Sequence, residues 1–185
     1  MICAMDITDD SVPHFGFRGP IGDAIPSLPL VYLPRGLDNQ SGGQQTVQSD
    51  RWGPLNGQLL HFSFGTGNYF LILQSEIDGQ KQGAVVRLPG DFQSGIHRGR
   101  FSPKDGQLYV TGMQGWGCYT PEDGCFQRVR YTGEAVQVPK AFHLHKNGIR
   151  LEFSQPVDKA LVEDPASHFA MTWNYRYGAQ YGSPE

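Results

Sequence analysis

The chain has 185 residues with 15 Lys and Arg against 18 Asp and Glu, and its net charge of −3 leaves no bulk attraction for nucleic acid. Hydrophobic residues make up 38% and aromatics 12%, enough for a core, while 24 Gly and 13 Pro take about one position in five. So many chain breakers exclude a helical bundle and predict short strands joined by turns, in one domain or one and a fraction.

In chain order, residues 1–29 are poorly patterned. The first ten lack a basic region and carry Asp6, Asp9 and Asp10, so they do not read as a signal peptide. Leu30–Leu33 reads as a short strand ended by Pro34, and Leu37–Asp50, rich in Gly, Gln and Ser, as a long loop. Three apolar runs follow, Gly57–Phe64, Asn68–Ile77 and Gly83–Leu88, divided by Gly65-Thr66-Gly67 and Asp78-Gly79. Turns of that composition supply the positive φ of tight hairpins and predict antiparallel neighbours. Tyr69–Leu73 is apolar at both parities, as a strand covered on both faces should be. Gly95–Phe101 and Gln107–Gly112, joined through Ser102–Gly106, and then Gly124–Tyr131 continue a short-strand rhythm. That rhythm suits propeller blades, and a sandwich would leave similar marks.

The character changes at Thr132-Gly133-Glu134. Ala141–Leu144 and Ile149–Phe153 are predicted to pair around Asn147-Gly148, with Ile149, Leu151 and Phe153 on the half-buried side. Asp164-Pro165 predicts an N-cap and first position of a single helical turn, and Ala170–Tyr177 a last strand. The predicted fold is all-β. It comprises a partial β-propeller of about two four-stranded antiparallel blades over residues 1–133, then a small Ig-like β segment over 134–185. Cys118 and Cys125 flank Tyr119–Gly124, a spacing that suits either a disulfide or two small hydrophobes near a turn, and no Cys/His metal spacing is present. No apolar run of about 18 residues offers a membrane span.

The phrases WGPLNGQLLHFSFG (52–65), GAVVRLPGDFQSGIHRGRFSPKDGQLYVTGMQGW (83–116), FQRVRYTG (126–133) and WNYRYGAQYGSPE (173–185) resemble the closing portion of bacterial glucose/sorbosone-dehydrogenase-like β-propeller proteins. The resemblance covers roughly residues 30–185. It implies a periplasmic or extracellular quinoprotein of the pyrroloquinoline quinone (PQQ) type, an oxidoreductase with Ca²⁺ in the full-length parent and often a fused haem-c domain. Because it falls on the last blades only, the chain is expected to be a fragment. Its partners would be the missing blades or the haem-c domain, and it would hold no cofactor and show no turnover by itself. The alternative is a non-catalytic scaffold propeller that binds carbohydrate or protein in an extracytoplasmic electron-transfer assembly.

Under that resemblance Arg98, Arg100, Gln114 and Trp116 are the candidate cofactor-facing residues, with no catalytic or metal residue assigned. An Arg fork holds a planar carboxylate by two parallel hydrogen bonds. Arg98 and Arg100 share a parity, opposite to His97, so both face either the propeller channel or solvent. A Gly-flanked Trp116 suits stacking on a sugar or quinone ring, or plugging the end of a blade core. Asp38, Asn39 and Asp50 offer oxygen ligands without the spacing of a Ca²⁺ loop. His143 and His145 share a strand face, as a metal pair or as exposed polar residues. Trp173, Tyr175 and Tyr177 share a parity that fits core or a sugar-stacking strip. No GxSxG elbow or phosphate loop is present.

Overall fold

The computed structural model describes residues 29–34 and 36–172. One compact unit runs from Leu30 to Pro156, and the residues from Val157 onward belong to a second. In the first unit, β1 (Ser41–Thr46), β2 (Leu59–Ser63), β3 (Tyr69–Ile77) and β4 (Gln80–Arg87) form a four-stranded antiparallel meander in sequence order. A second meander follows with β5 (Ile96–Phe101), β6 (Leu108–Met113) and β7 (Gly124–Val129), and then a hairpin of β8 (Pro139–His145) and β9 (Gly148–Phe153). The architecture is all-β and partial-propeller-like, with successive meandering sheets and no closed barrel among the described residues.

Turn chemistry sets the first register. Asp78 and Gly79, at φ 50° and 80°, make the two-residue connection that leaves Ile77 opposite Gln80. Tyr69–Leu73 is buried throughout, as its two-sided apolar pattern requires. Tyr69, Leu71 and Leu73 join Leu60 and Phe62 of β2 on one face, against Ile96, Leu108 and Val110 of the second sheet, Val138 just before the hairpin and Phe142 within it. Each such side chain contributes about 1.5–3 kcal/mol by leaving water. Phe70, Ile72 and His61 occupy the opposite face.

The two meanders meet backbone to backbone. A Cβ on Gly42 of β1 would fall on the Ile96 carbonyl oxygen, and within the second meander one on Gly112 of β6 would fall on the carbonyl oxygen of Gly95. Neither contact involves a side chain that could swing aside, so the close approach depends on glycine.

Several expectations are corrected. The polar stretch Leu37–Asp50 is not one loop, since it holds β1, whose bulge between Ser41 and Gln44 bends it along β2. Leu30–Leu33 forms no ladder; it passes beside Gly83 of β4 as irregular chain. The β8–β9 turn falls at Lys146-Asn147, and Gly148 already belongs to the strand. Ile149 and Leu151 are exposed, because on their face the core is met by the facing Phe142 and Leu144 of β8 and not by β9. Cys118 and Cys125 are free thiols: Cys118 Sγ donates to the Phe64 carbonyl at 3.3 Å, and Cys125 packs at the edge of the core. In the second unit, Asp164 caps the predicted turn Pro165–Ser167 by accepting from Ala166 N, and a helix not foreseen, α1 (Lys159–Glu163), precedes it. Ala170–Thr172 is irregular, and the rest of the predicted last strand lies outside the described residues.

Gly112→Ala is expected to lower unfolding stability by about 2 kcal/mol or more, since a methyl is forced against fixed backbone. Gly148→Ala, with open space around it and an ordinary φ, should change stability little. Urea unfolding of the two variants side by side checks the pair.

Candidate functional site

The strand that composition disguised as a loop organises the candidate residues. Just before β1, the Gln40 carbonyl accepts from Phe64 N at 2.9 Å and from Gly65 N at 3.2 Å, which seats this segment on the β2–β3 turn. Gln40 Nε2 then donates to the Trp116 carbonyl at 2.7 Å, and Asn39 Nδ2 to the Gly117 carbonyl at 2.8 Å. Tyr119 N donates to the Gly65 carbonyl at 2.8 Å. The backbone of the β6–β7 loop is thereby clamped, while the rings of Trp116 and Tyr119 stand 82% and 79% exposed. Trp116 does not plug the blade core.

Arg98 and Arg100 owe their placement to a bulge. Ile96, Arg98 and Arg100 share a parity, yet the register shift at His97 turns Ile96 inward opposite Gly112 and both arginines outward, opposite Thr111 and Tyr109. His97 packs its ring against Phe64 at 4.3 Å, and its buried Nε2 has no hydrogen-bond partner. Arg98 lies beside Gly43, where a Cβ would stand 3.4 Å from Nη1. Arg100 Nη1 donates to Gln45 Oε1 at 3.1 Å and to the Gly99 carbonyl at 2.8 Å. Trp116, Arg98 and Arg100 are thus strung along Gln40–Gln45, a run of roughly 15 Å at strand rise. Gln114 is held within its own loop, Nε2 facing the Thr120 carbonyl at 3.4 Å.

Beneath this seam lies a polar cluster that sequence reasoning missed. Asp38 Oδ2 accepts from His61 Nε2 at 2.7 Å, and Oδ1 accepts from Ser63 Oγ at 2.6 Å and from Gln40 N at 3.1 Å. Ser63 Oγ in turn accepts from Thr66 N and Thr66 Oγ1, and Thr66 Oγ1 accepts from Asn68 Nδ2. The residue types invite comparison with a nucleophile relay, but the order differs. Here the carboxylate sits between His and Ser, so the imidazole cannot take the Ser63 proton. His61 is 1% exposed and Ser63 is fully buried, which shuts out any substrate. The cluster is a structural pin whose one loose end is His61 Nδ1, buried without a partner. The signal for it was the polar pair His61 and Ser63 inside an otherwise apolar run.

Asp38, Asn39 and Asp50, which offered oxygen ligands without Ca²⁺-loop spacing, do not converge. Both Asp38 oxygens are occupied, Asn39 donates through Nδ2 to Gly117 while its Oδ1 is buried without a partner, and Asp50 accepts from Asn56 Nδ2 beyond the far end of β1, so the three do not share a site. His143 meets Glu152 at 3.1 Å, with Arg150 on the same carboxylate at 2.9 Å, and His145 stands at the hairpin end. Among the described residues no three His, Cys, Asp or Glu side chains gather as a metal site. Trp173, Tyr175 and Tyr177 lie outside the described residues. Compared with family models, curated proteins and solved structures, the chain matches none.

On the outer face of the second sheet, Asp105 accepts from Gln107 N and Tyr109 Oη with Arg128 at 3.8 Å, and these contacts, the backbone bond first, hold its carboxyl below the usual 3.8. A carboxyl depressed in the folded state adds stability above its unfolded value and loses it as pH falls through the folded one. Asp105→Asn should therefore be destabilising at neutral pH, with the difference from wild type shrinking in acid, as read by thermal unfolding across pH. Asp38→Ala should cost about 3 kcal/mol, because His61 and Ser63 lose their acceptor in a dry site. Asp50→Ala, on the surface, should stay within about 0.5 kcal/mol in the same urea titration.

Proposed function

We propose that this chain is the closing part of an extracytoplasmic, quinoprotein-like sugar or aldose dehydrogenase propeller, and that its own share of the work is binding rather than turnover. The observation that supports the reading best is the seam along β1, where two arginines and an exposed indole line one strand segment. Arg98 and Arg100 each use Nη1 on the protein, and among the described residues no partner engages their Nη2 groups. Those groups are suited to carboxylates, and the Trp116 face to a planar ring, the donor set that a tricarboxylate quinone calls for. Pyrroloquinoline quinone, when bound, accepts hydride from the sugar. The base for that step is assigned to the missing blades, since His61 is sealed and His97 is turned against Phe64. The Asp38, Asn39 and Asp50 set does not fit Ca²⁺, since Asp50 lies beyond the far end of β1 from the other two.

A second reading, a non-catalytic scaffold that binds carbohydrate, is favoured by Trp116 and Tyr119 together. Two fully presented rings on a clamped loop form a stacking surface at low entropic cost.

Titrating the full chain with pyrroloquinoline quinone and, separately, with a neutral oligosaccharide by tryptophan fluorescence separates the two. Although the resemblance alone implied no cofactor on the isolated chain, the β1 seam leads the first reading to expect quinone binding that Arg98→Ala and Arg100→Ala each weaken about tenfold, and no dye reduction with any aldose when quinone and Ca²⁺ are added. Quinone binding indifferent to both arginines would sink it, and oligosaccharide binding lost on Trp116→Ala without any quinone binding would select the scaffold.

A further inference from the structure

We infer that the open edge of β7 is a self-complementary surface on which a second copy of this chain docks by antiparallel strand pairing, an association that goes beyond the proposed function and does not rest on it.

The first sheet has four strands, and irregular chain at Leu30 and Val31 passes beside Gly83 on its β4 side. The second has three and ends on β7, which pairs with β6 alone. Gln114 N donates to the Asp123 carbonyl at 2.8 Å, which fixes the alternation of the β6–β7 ladder. Residues 123, 125, 127 and 129 then turn their backbone groups to β6, and Gly124, Phe126 and Arg128 turn theirs outward. Among the described residues nothing pairs with those outward groups. Edges of this kind are usually blunted by Pro, charged side chains, a bulge or a covering loop; β7 has no Pro and no bulge, its one charge is Arg128, the passing chain at Gln93 reaches backbone only at Glu122 N just before it, and Phe126 is 75% exposed upon it.

The sequence around the edge favours a second copy over an unrelated strand. Acidic residues, Glu122 and Asp123, precede β7, and basic ones, Arg128 and Arg130, lie at and beyond its end. Antiparallel self-pairing centred on Phe126 brings Phe126 opposite Phe126, Gly124 opposite Arg128, and Glu122 opposite Arg130. All three outward positions then meet outward positions, so every free N–H and C=O of that edge finds a partner. Gly124 leaves room for the Arg128 stem to lie along the facing Phe126 ring, where a guanidinium gains by cation–π contact. Two Glu–Arg pairs flank the seam and fix its register. The contact is smaller than that of an obligate dimer, so association depends on concentration.

Light scattering on the full chain, from dilute to concentrated solution, should show the mass rising from 20.5 kDa toward twice that value. Phe126→Pro removes an outward N–H and leaves the β6 ladder intact, and is expected to stay monomeric. Glu122→Arg and Arg130→Glu, surface changes that spare folding, should each weaken self-association about tenfold by setting like charges opposite one another. An equimolar mixture of those two variants should associate again, because each carries the charge the other needs. A chain monomeric at every concentration, a mass that grows beyond two copies, or a dimer untouched by these substitutions overturns the inference.

Discussion

Burying a carboxylate is costly, and the arrangement around Asp38 shows how the cost is offset and what depends on it. Three donors, from His61, Ser63 and the Gln40 backbone, converge on its two oxygens inside a site that water does not reach. The donors come from the far half of β2 and from the residue that opens β1, so the cluster fixes where β1 begins. From Gln40 onward the chain has little else to hold it: its side chains are Ser, Gly, Gly, Gln, Gln and Thr, with no apolar group to bury. The clamp on the Trp116 loop and the stations of both arginines follow from that starting point.

Glycine supplies the complementary constraint. Where β1 and β6 run against β5 and its approach, carbonyl oxygens occupy the space that side chains would need. Close packing of this kind transmits position without compliance, since no rotamer can absorb a shift. The seam along β1 is therefore rigid at both ends, pinned by a buried carboxylate at one and by backbone contact along its length. The proposed binding of a planar ligand between guanidinium forks and an indole would benefit from such rigidity, because less ordering is left to the binding step.

What the sequence made legible is what local chemistry decides. The two-sided apolar run of β3, the Asp78-Gly79 hairpin, the Asp164 cap and the shared face of Arg98 and Arg100 all follow from residues within a few positions of one another. β1 was hidden because its strand character comes from pairing with β2 and from glycines that admit another backbone, neither of which a polar hexapeptide displays. The bulge at His97 was equally hidden; parity alone would have put Ile96 on the side of the arginines. Leu30–Leu33 had the composition of a strand and no ladder to join, and Ile149 and Leu151 had the right alternation on a hairpin that meets the core through β8. The Asp38 cluster needed residues from two segments, and only the odd polarity of His61 and Ser63 hinted at it.

The second sheet presents a face and an edge, and the two invite different neighbours. Its outer face carries Arg98, Arg100, Tyr109, Thr111, Phe126 and Arg128, with Asp105 beside them, a mixed aromatic and cationic surface of the kind a further blade or a ligand would cover by stacking from above. The edge offers hydrogen bonds in the plane of the sheet and is satisfied only by another strand. Stacking on the face leaves the in-plane groups of Gly124, Phe126 and Arg128 unpaired, and strand addition leaves the forks of Arg98 and Arg100 uncovered, two strands away. Stacking on the face and the inferred pairing of two chains at the edge are for that reason compatible with one another. Phe126 and Arg128, which stand on the face and at the edge at once, would have to serve both.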